Sequence, residues 1–190
     1  MPFNEIDNVS RPESIYAATK ISNELIAHTY SKLYKLKTIG LRFFTVYGPW
    51  GRPDMAYFSF ANSLFKDEPI SLFNKGKMLR DFTYIDDIIA SIMKIITKKE
   101  SHKKKEENYS VYNIGNSRPV ELQKFIKVME KSFNKKFKVK LLPHQKGDVK
   151  STHASNKKFE MDFDYTPSTS LNIGMRSFAK WYKSYYENEI

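Results

Sequence analysis

Ten consecutive residues, Thr38-Ile39-Gly40-Leu41-Arg42-Phe43-Phe44-Thr45-Val46-Tyr47, form a nearly continuous apolar run of strand length. A strand that is apolar on both faces needs cover on both. That is the situation inside a parallel sheet flanked by helices, and not in a half-exposed hairpin. Gly48-Pro49-Trp50-Gly51-Arg52-Pro53 ends the run as a loop.

The rest of the chain alternates in the same sense. Residues 1–13 hold Pro2, Asn8, Ser10 and Pro12 and read as an irregular lead-in. Ser14 is placed to cap a helix from Ile15 to Leu36, with Ile15, Ala18, Leu25, Ile26, Leu33 and Leu36 as its apolar stripe. A second helix is expected over Met55–Phe65. Strands follow at Ile70–Phe73 and Leu79–Ile85, separated by a turn at Asn74–Lys77. Asp86 is the expected cap of a helix over Asp87–Thr97. Further on, Ser110–Ile114 and Phe137–Leu142 read as strands. A helix runs from Pro119 to Phe133, residues 143–170 read mostly as loop, and Leu171–Glu187 reads as a final helix. Strand and helix alternate, so the fold class is α/β.

Composition narrows the function classes. Hydrophobic residues make up 41% and aromatics 15%, enough for a sizeable core. No cysteine is present, which removes disulfides, thiolate metal sites and cysteine nucleophiles. The formal charge is +11, but 26 of the 32 cations are Lys and 6 are Arg. Base readout and bidentate phosphate recognition favour Arg. The dense run from Lys98 to Asn108 reads as a solvated loop, so nucleic-acid binding is not expected. His28, His102, His144 and His153 are too dispersed for a metal site. No apolar run approaches the ~20 residues that span a bilayer, and no membrane contact is expected. Met1-Pro2-Phe3-Asn4-Glu5 has neither a basic n-region nor an apolar h-region, so a cytoplasmic location is expected.

One local pattern carries chemistry. In Tyr16-Ala17-Ala18-Thr19-Lys20 the Tyr and Lys are four residues apart and share a helix face. An ammonium beside a phenol favours the phenolate, and such a tyrosine can act as a base toward a sugar hydroxyl near neutral pH. By itself the pair is commonplace on helices, and context decides its meaning.

That context is threefold. Ser14-Ile15-Tyr16-Ala17-Ala18-Thr19-Lys20, Leu41 through Ala56, and Arg80-Asp81-Phe82-Thr83-Tyr84-Ile85-Asp86-Asp87 follow one another in order. Together they resemble the extended short-chain dehydrogenase/reductase family, and within it the nucleotide-sugar epimerases of the UDP-glucuronate 4-epimerase type. Asn113-Ile114-Gly115-Asn116 and Gly147-Asp148-Val149 are similar to further motifs of that family. The resemblance runs from about Pro2 to the C-terminus.

The resemblance implies roles for particular residues. Tyr16 would exchange a proton with the sugar 4-hydroxyl while hydride passes to and from NAD, and Lys20 would lower the Tyr16 pKa and bond the nicotinamide ribose. Phe43, Phe44 and Val46 would pass close to the nicotinamide. Thr45 and Arg52 would hold the sugar carboxylate, for which a guanidinium is suited by its two parallel donors. Arg80 would neutralise the UDP diphosphate, and Phe82 would pack near the nucleotide. The segment Gln145–Val149 carries no arginine, and Lys146 is the cation that could serve the diphosphate there. Ser155 stands where the family often has Asp, which leaves the local helix start open.

The family also begins with a Gly-rich turn that holds the NAD pyrophosphate at a helix N-terminus. No three of the seven glycines here form that motif. The family's catalytic Ser or Thr, upstream of the tyrosine, has no counterpart either. The expected architecture is therefore an incomplete Rossmann-like parallel sheet with a smaller C-terminal substrate-binding region. Residues 1–56 would be the remaining part of the NAD-binding domain and 57–190 mainly the nucleotide-sugar region, with 79–115 returning in part to the sheet. The implied partners are a UDP-sugar, a separate Rossmann-half chain, and a second copy packed along the helix of Tyr16 and Lys20. For that last contact, Tyr30, Leu33 and the Met55–Phe65 helix serve either a dimer or the core. The chain alone is expected to be inactive and to bind NAD weakly or not at all. An inactive remnant and a basic nucleic-acid module are the competing readings.

Overall fold

The computed structural model describes residues 1–98, 108–144 and 151–186. Most of the lysine run, and the whole of Gln145–Val149 with Lys146, fall outside the described residues. Helix α1 spans Ile15–Tyr34, with the Ser14 hydroxyl accepting from the Ala17 N–H at 3.1 Å as an N-cap. It stops two residues short of Leu36 because Lys35 turns left-handed (φ 57°).

The long apolar run is two strands. β1 (Thr38–Phe43) and β2 (Thr45–Tyr47) are separated at Phe44 and pair with different partners. β1 runs parallel to β6 (Tyr109–Ile114), and β2 runs parallel to β5 (Phe82–Tyr84). The parallel pairing agrees with the sequence reading, but the expected burial on both faces does not hold. β1 is half-buried along its length and Phe43 is 46% exposed. Its edge away from β6 carries no strand among the described residues.

Helix α2 covers Ala56–Phe65, and β3 (Ile70–Leu72) pairs in parallel with β8 (Val139–Leu141). The expected strand over 79–85 breaks at Asp81 into β4 (Leu79–Arg80) and β5, with β4 antiparallel to β7 (Val120–Glu121). Helix α3 (Ile85–Thr97) starts one residue after Tyr84, so Tyr84 is the N-cap and Asp86 lies inside the first turn. There Asp86 and Asp87 complement the positive helix end. Helix α4 is Leu122–Phe133 and α6 is Leu171–Tyr185. The stretch read as loop contains a further helix, α5 (Lys157–Phe163). Phe159 on it is fully buried, so tertiary packing supplies what its short length does not.

Two cores result. The larger packs α2, α4 and α6 around Tyr47, Phe82 and Tyr84. The smaller joins Tyr112 and Ile114 of β6 to Ile88 of α3 and Phe159 of α5, with Ile39 and Leu41 of β1 packed against it. Alternation along β1 then sends Arg42 to the opposite face, where its guanidinium grips Glu24 of α1 at 2.7 and 2.8 Å. The apolar stripe expected on α1 is not core. Ser31 is its one buried residue, while Leu25, Ile26 and Leu33 are each more than half exposed. Exposed Ile89, Met93 and Ile96 form a similar stripe on α3.

The larger core is rich in tyrosine. Tyr47 is 1% exposed and meets the rings of Tyr57, Phe82, Tyr84 and Phe125 at centroid distances of 5.7 to 6.3 Å. Its hydroxyl is buried without a hydrogen-bond partner in the structure, which is costly for a polar group. Gly174 makes room for it, since a Cβ there would stand 2.3 Å from Tyr47 Oη. Burial raises the phenol pKa values of Tyr47, Tyr57, Tyr84 and Tyr165, that of Tyr165 to about 12 with Asp87 adding to the effect. A folded value above the unfolded ~10 gives stability that is present below pH ~10 and lost as pH rises through the folded values. Urea melts across pH 8 to 12 should therefore show stability falling steeply above pH ~10. Tyr47→Phe should flatten that fall and, at neutral pH, cost nothing or raise the unfolding free energy by up to about 1 kcal/mol, because no hydrogen bond is lost.

Candidate active site

Tyr16 and Lys20 sit one turn apart near the capped start of α1, and the Lys20 Nζ lies 5.2 Å from the centre of the Tyr16 ring. The helical spacing is what brings them together. Tyr16 is 71% exposed, so its phenol is open to a reacting partner. The Tyr–Lys pair and the substrate positions stand on different elements.

Thr45 opens β2 directly opposite Phe82 of β5, and its N–H donates to the Asp81 carbonyl at 3.1 Å. Phe82 is buried and stacks on Phe125 at 4.1 Å. Phe44, at the break between β1 and β2, donates its N–H to the Ile114 carbonyl at 3.1 Å, which keeps Phe43, Phe44 and Val46 at the junction of the two parallel pairs. Val46 belongs to the smaller core.

Arg52 lies in the loop after β2. Tyr57 Oη donates to the Gly48 carbonyl at 3.2 Å, and a Cβ on Gly51 would stand 1.5 Å from that same hydroxyl. Gly48 has φ +145°, a region that strongly favours glycine, and its missing Cβ leaves room for Ile85. Trp50 adopts φ 59° and packs on Trp181 and Tyr185 of α6 at 5.3 and 5.2 Å. Packing thus shapes the loop, yet it delivers Arg52 to solvent. Its guanidinium meets Asp54 at 3.3 Å with both side chains at least 70% exposed. An exposed pair of this kind is worth at most ~1 kcal/mol, so an incoming carboxylate can take the place of Asp54.

Arg80 is half-buried and donates to the Leu79 carbonyl at 3.0 Å. Its neighbour Asp81 is 0% exposed, and its carboxylate accepts the N–H groups of Asn116 (2.8 Å), Ser117 (3.1 Å) and Ala154 (2.8 Å). Burial raises its pKa and the three N–H donors oppose that. A second buried carboxylate, Asp87, accepts from the Thr169 N–H and hydroxyl at 2.9 Å each. These two were missed because a charge in sequence reads as surface. The available signal for Asp81 was its position inside an apolar, strand-like stretch; Asp87, in the first turn of α3, offered none. The lead-in is also built in: Phe3 bridges to Ala154, and Glu5 accepts from the Asn113 N–H at 2.9 Å. Among the described residues no group of three or more His, Cys, Asp or Glu could hold a metal ion. No helix of the described residues is long and apolar enough to cross a membrane.

An exposed Tyr–Lys pair thus stands near a parallel strand pair, with Arg52 and Arg80 on the loop and strand that follow. The model of the NAD dependent epimerase/dehydratase family matches residues 1–115, and the chain belongs to that family. It is 45% identical to Protein CapI of Staphylococcus aureus over 98% of this chain and 59% of that protein. It is 43% identical to UDP-glucuronate 4-epimerase 5 of Arabidopsis thaliana, over 98% of this chain and 45% of that one. Among solved structures, UDP-glucuronic acid 4-epimerase from Bacillus cereus, in complex with UDP-glucuronic acid and NAD, superposes with a TM-score of 0.87 at 32% identity. That match covers 98% of this chain and 57% of that one. The chain thus spans about half the length of the relatives it matches.

The exposure pattern is checkable directly. Brief treatment with N-acetylimidazole followed by peptide mass mapping should acetylate Tyr16, Tyr30 and Tyr34 at least ten times faster than Tyr47, Tyr57 and Tyr112, which are 3% exposed or less.

Proposed function

We propose that this chain supplies the acid–base helix and the nucleotide-sugar side of an NAD-dependent UDP-glucuronate 4-epimerase, whose dinucleotide cradle lies outside these 190 residues. The observation that carries the proposal is the Tyr16–Lys20 contact on an exposed, capped helix end, together with an Arg52 held on a packed loop with an exposed ion-pair partner. The family and the Bacillus cereus structure, solved with UDP-glucuronic acid and NAD, support it.

The residues fit one end of the dinucleotide. A phenol and an ammonium on one exposed helix face can reach ribose hydroxyls and a sugar hydroxyl together. The pyrophosphate end is different. The loop glycines 48 and 51 are committed to Ile85 and Tyr57 and leave no cradle there. Bound NAD would supply the acceptor and then the donor of hydride. Tyr16 Oη would take the proton of the sugar 4-hydroxyl as that carbon is oxidised to a carbonyl. It would return the proton when the carbonyl is reduced on its other face, so no net oxidation occurs. Lys20, on the same helix face, would bond the nicotinamide ribose hydroxyls. Thr45 and Arg52 would hold the uronate carboxylate and Arg80 the diphosphate, while Phe82, buried against Phe125, would back the nucleotide side from within the core. A desolvated carboxylate requires a cationic partner, which is why Arg52 favours a uronic acid over a neutral sugar.

The bare β1 edge and the exposed apolar stripes of α1 and α3 support the view that a Rossmann half covers them, whether on the same polypeptide or another. A homodimer along α1 draws on Tyr30 and Leu33, both more than half exposed, whereas α2 is committed to the core through Tyr57, Phe58, Ala61 and Leu64. A cytoplasmic location completes the proposal.

Calorimetric titration of the lone chain with NAD should show no binding in the micromolar range, and micromolar affinity would overturn the dependence on a separate cradle. Supplying a Gly-rich half and assaying conversion of UDP-glucuronate to UDP-galacturonate should give activity that Tyr16→Phe lowers ~10²–10⁴-fold. A reconstituted pair that binds UDP-glucuronate and NAD but never turns over would favour the inactive remnant.

A further inference from the structure

Three segments distant in sequence converge on Asp81, two of them on its carboxylate. Asp81 stands between β4, which carries Arg80, and β5, which begins with Phe82. Its Oδ1 accepts the Asn116 N–H, and its Oδ2 accepts the N–H groups of Ser117 and Ala154. Its own N–H donates to Thr152 Oγ1 at 3.1 Å, and its carbonyl accepts from the Thr45 N–H at 3.1 Å. Gly115 is held against it, since a Cβ there would stand 3.1 Å from Asp81 Oδ2 and 2.5 Å from the Ala154 Cβ. Ser117 takes a positive φ of 54° and returns a hydroxyl bond to the Ala154 carbonyl at 2.9 Å.

We infer that Asp81 is a positioning residue: by gathering the backbone of 116–117 and 152–154 around itself, it sets the backbone of Arg80 and thereby aims that guanidinium at a nucleoside diphosphate. This rests on the proposed role of Arg80. The physical reasoning concerns the turn itself. A strand that continued through Asp81 would carry Arg80 and Phe82 on one face at regular pleat spacing. The break at Asp81 ends that regularity: Phe82 goes into the core against Phe125, while Arg80 stays on β4 opposite Val120. A carboxylate is the side chain that accepts several N–H donors at once, and an amide in its place would point an NH₂ at one of them.

The test is titration of the 190-residue chain with UDP and with UMP, for the natural sequence, Asp81→Asn and Thr152→Val. The natural chain should prefer UDP over UMP. Asp81→Asn should weaken UDP at least tenfold while leaving UMP within twofold, because the diphosphate contact and not the uridine site is displaced. Thr152→Val removes only the acceptor for the Asp81 N–H, keeps the fold if Asp81→Asn does not, and should weaken UDP about threefold with the same selectivity. Equal losses for UDP and UMP would reveal a merely structural role and overturn the inference. So would unchanged UDP affinity in Asp81→Asn where the natural chain prefers UDP. A natural chain with no preference for UDP over UMP would remove the diphosphate role of Arg80 and this inference with it.

Discussion

A buried carboxylate with three backbone donors is the constraint on which much of this molecule depends. Asp81 is fully buried, and each N–H it accepts comes from a turn or extended segment with no helix or sheet ladder to satisfy it. Hydrogen bonds to a charged group are worth roughly 1.5–3 kcal/mol, and orphaned buried donors cost comparably. Desolvation works against the charge, which is why the site needs all three donors. From this point the polar connections spread. Ala154 bridges to Phe3, whose carbonyl accepts from Asn113 Nδ2 at 3.0 Å. The Asn113 N–H reaches Glu5, and Arg42 in turn clamps Glu24 of the helix that carries Tyr16 and Lys20.

The two cores are unequal in a way that bears on function. The side that carries Arg52 and Arg80 rests on a dense aromatic core in which Tyr47, Phe125 and Phe178 are at most 1% exposed. The β1–β6 side is thin. Its helix α1 buries one residue and is tied to the sheet largely by polar contacts such as Arg42 to Glu24. A two-stranded parallel pair is not self-sufficient in water. Tyr16 and Lys20 therefore stand on the thinly packed part of the molecule, whereas Arg52 and Arg80 stand beside the dense core. The matched relatives are about twice as long, which agrees with this asymmetry.

Much of the site was legible as residue types at fixed spacings. Tyr16 and Lys20 are neighbours by helix geometry alone, and the helix formed where Ser14 capped it. Thr45 and Phe82 lie 37 positions apart in number and are register partners, as only strand pairing could bring about. Helix α5 escaped notice because seven residues carry too little periodicity to be read. Asp81 and Asp87 escaped because burial of a charge is set by donors far away in sequence.

The chain of residues alone determined the α/β class, the parallel character of its sheet, the family, and the Tyr–Lys pair, because periodicity, capping and i to i+4 spacing are local properties. Only the tertiary structure decided that the long apolar run breaks at Phe44 and that Asp81 is a hub and not a surface acid. It alone decided, too, that the apolar stripes of α1 and α3 stay bare. Each of these turns on which distant backbone donors and apolar faces meet, and no local pattern encodes that meeting.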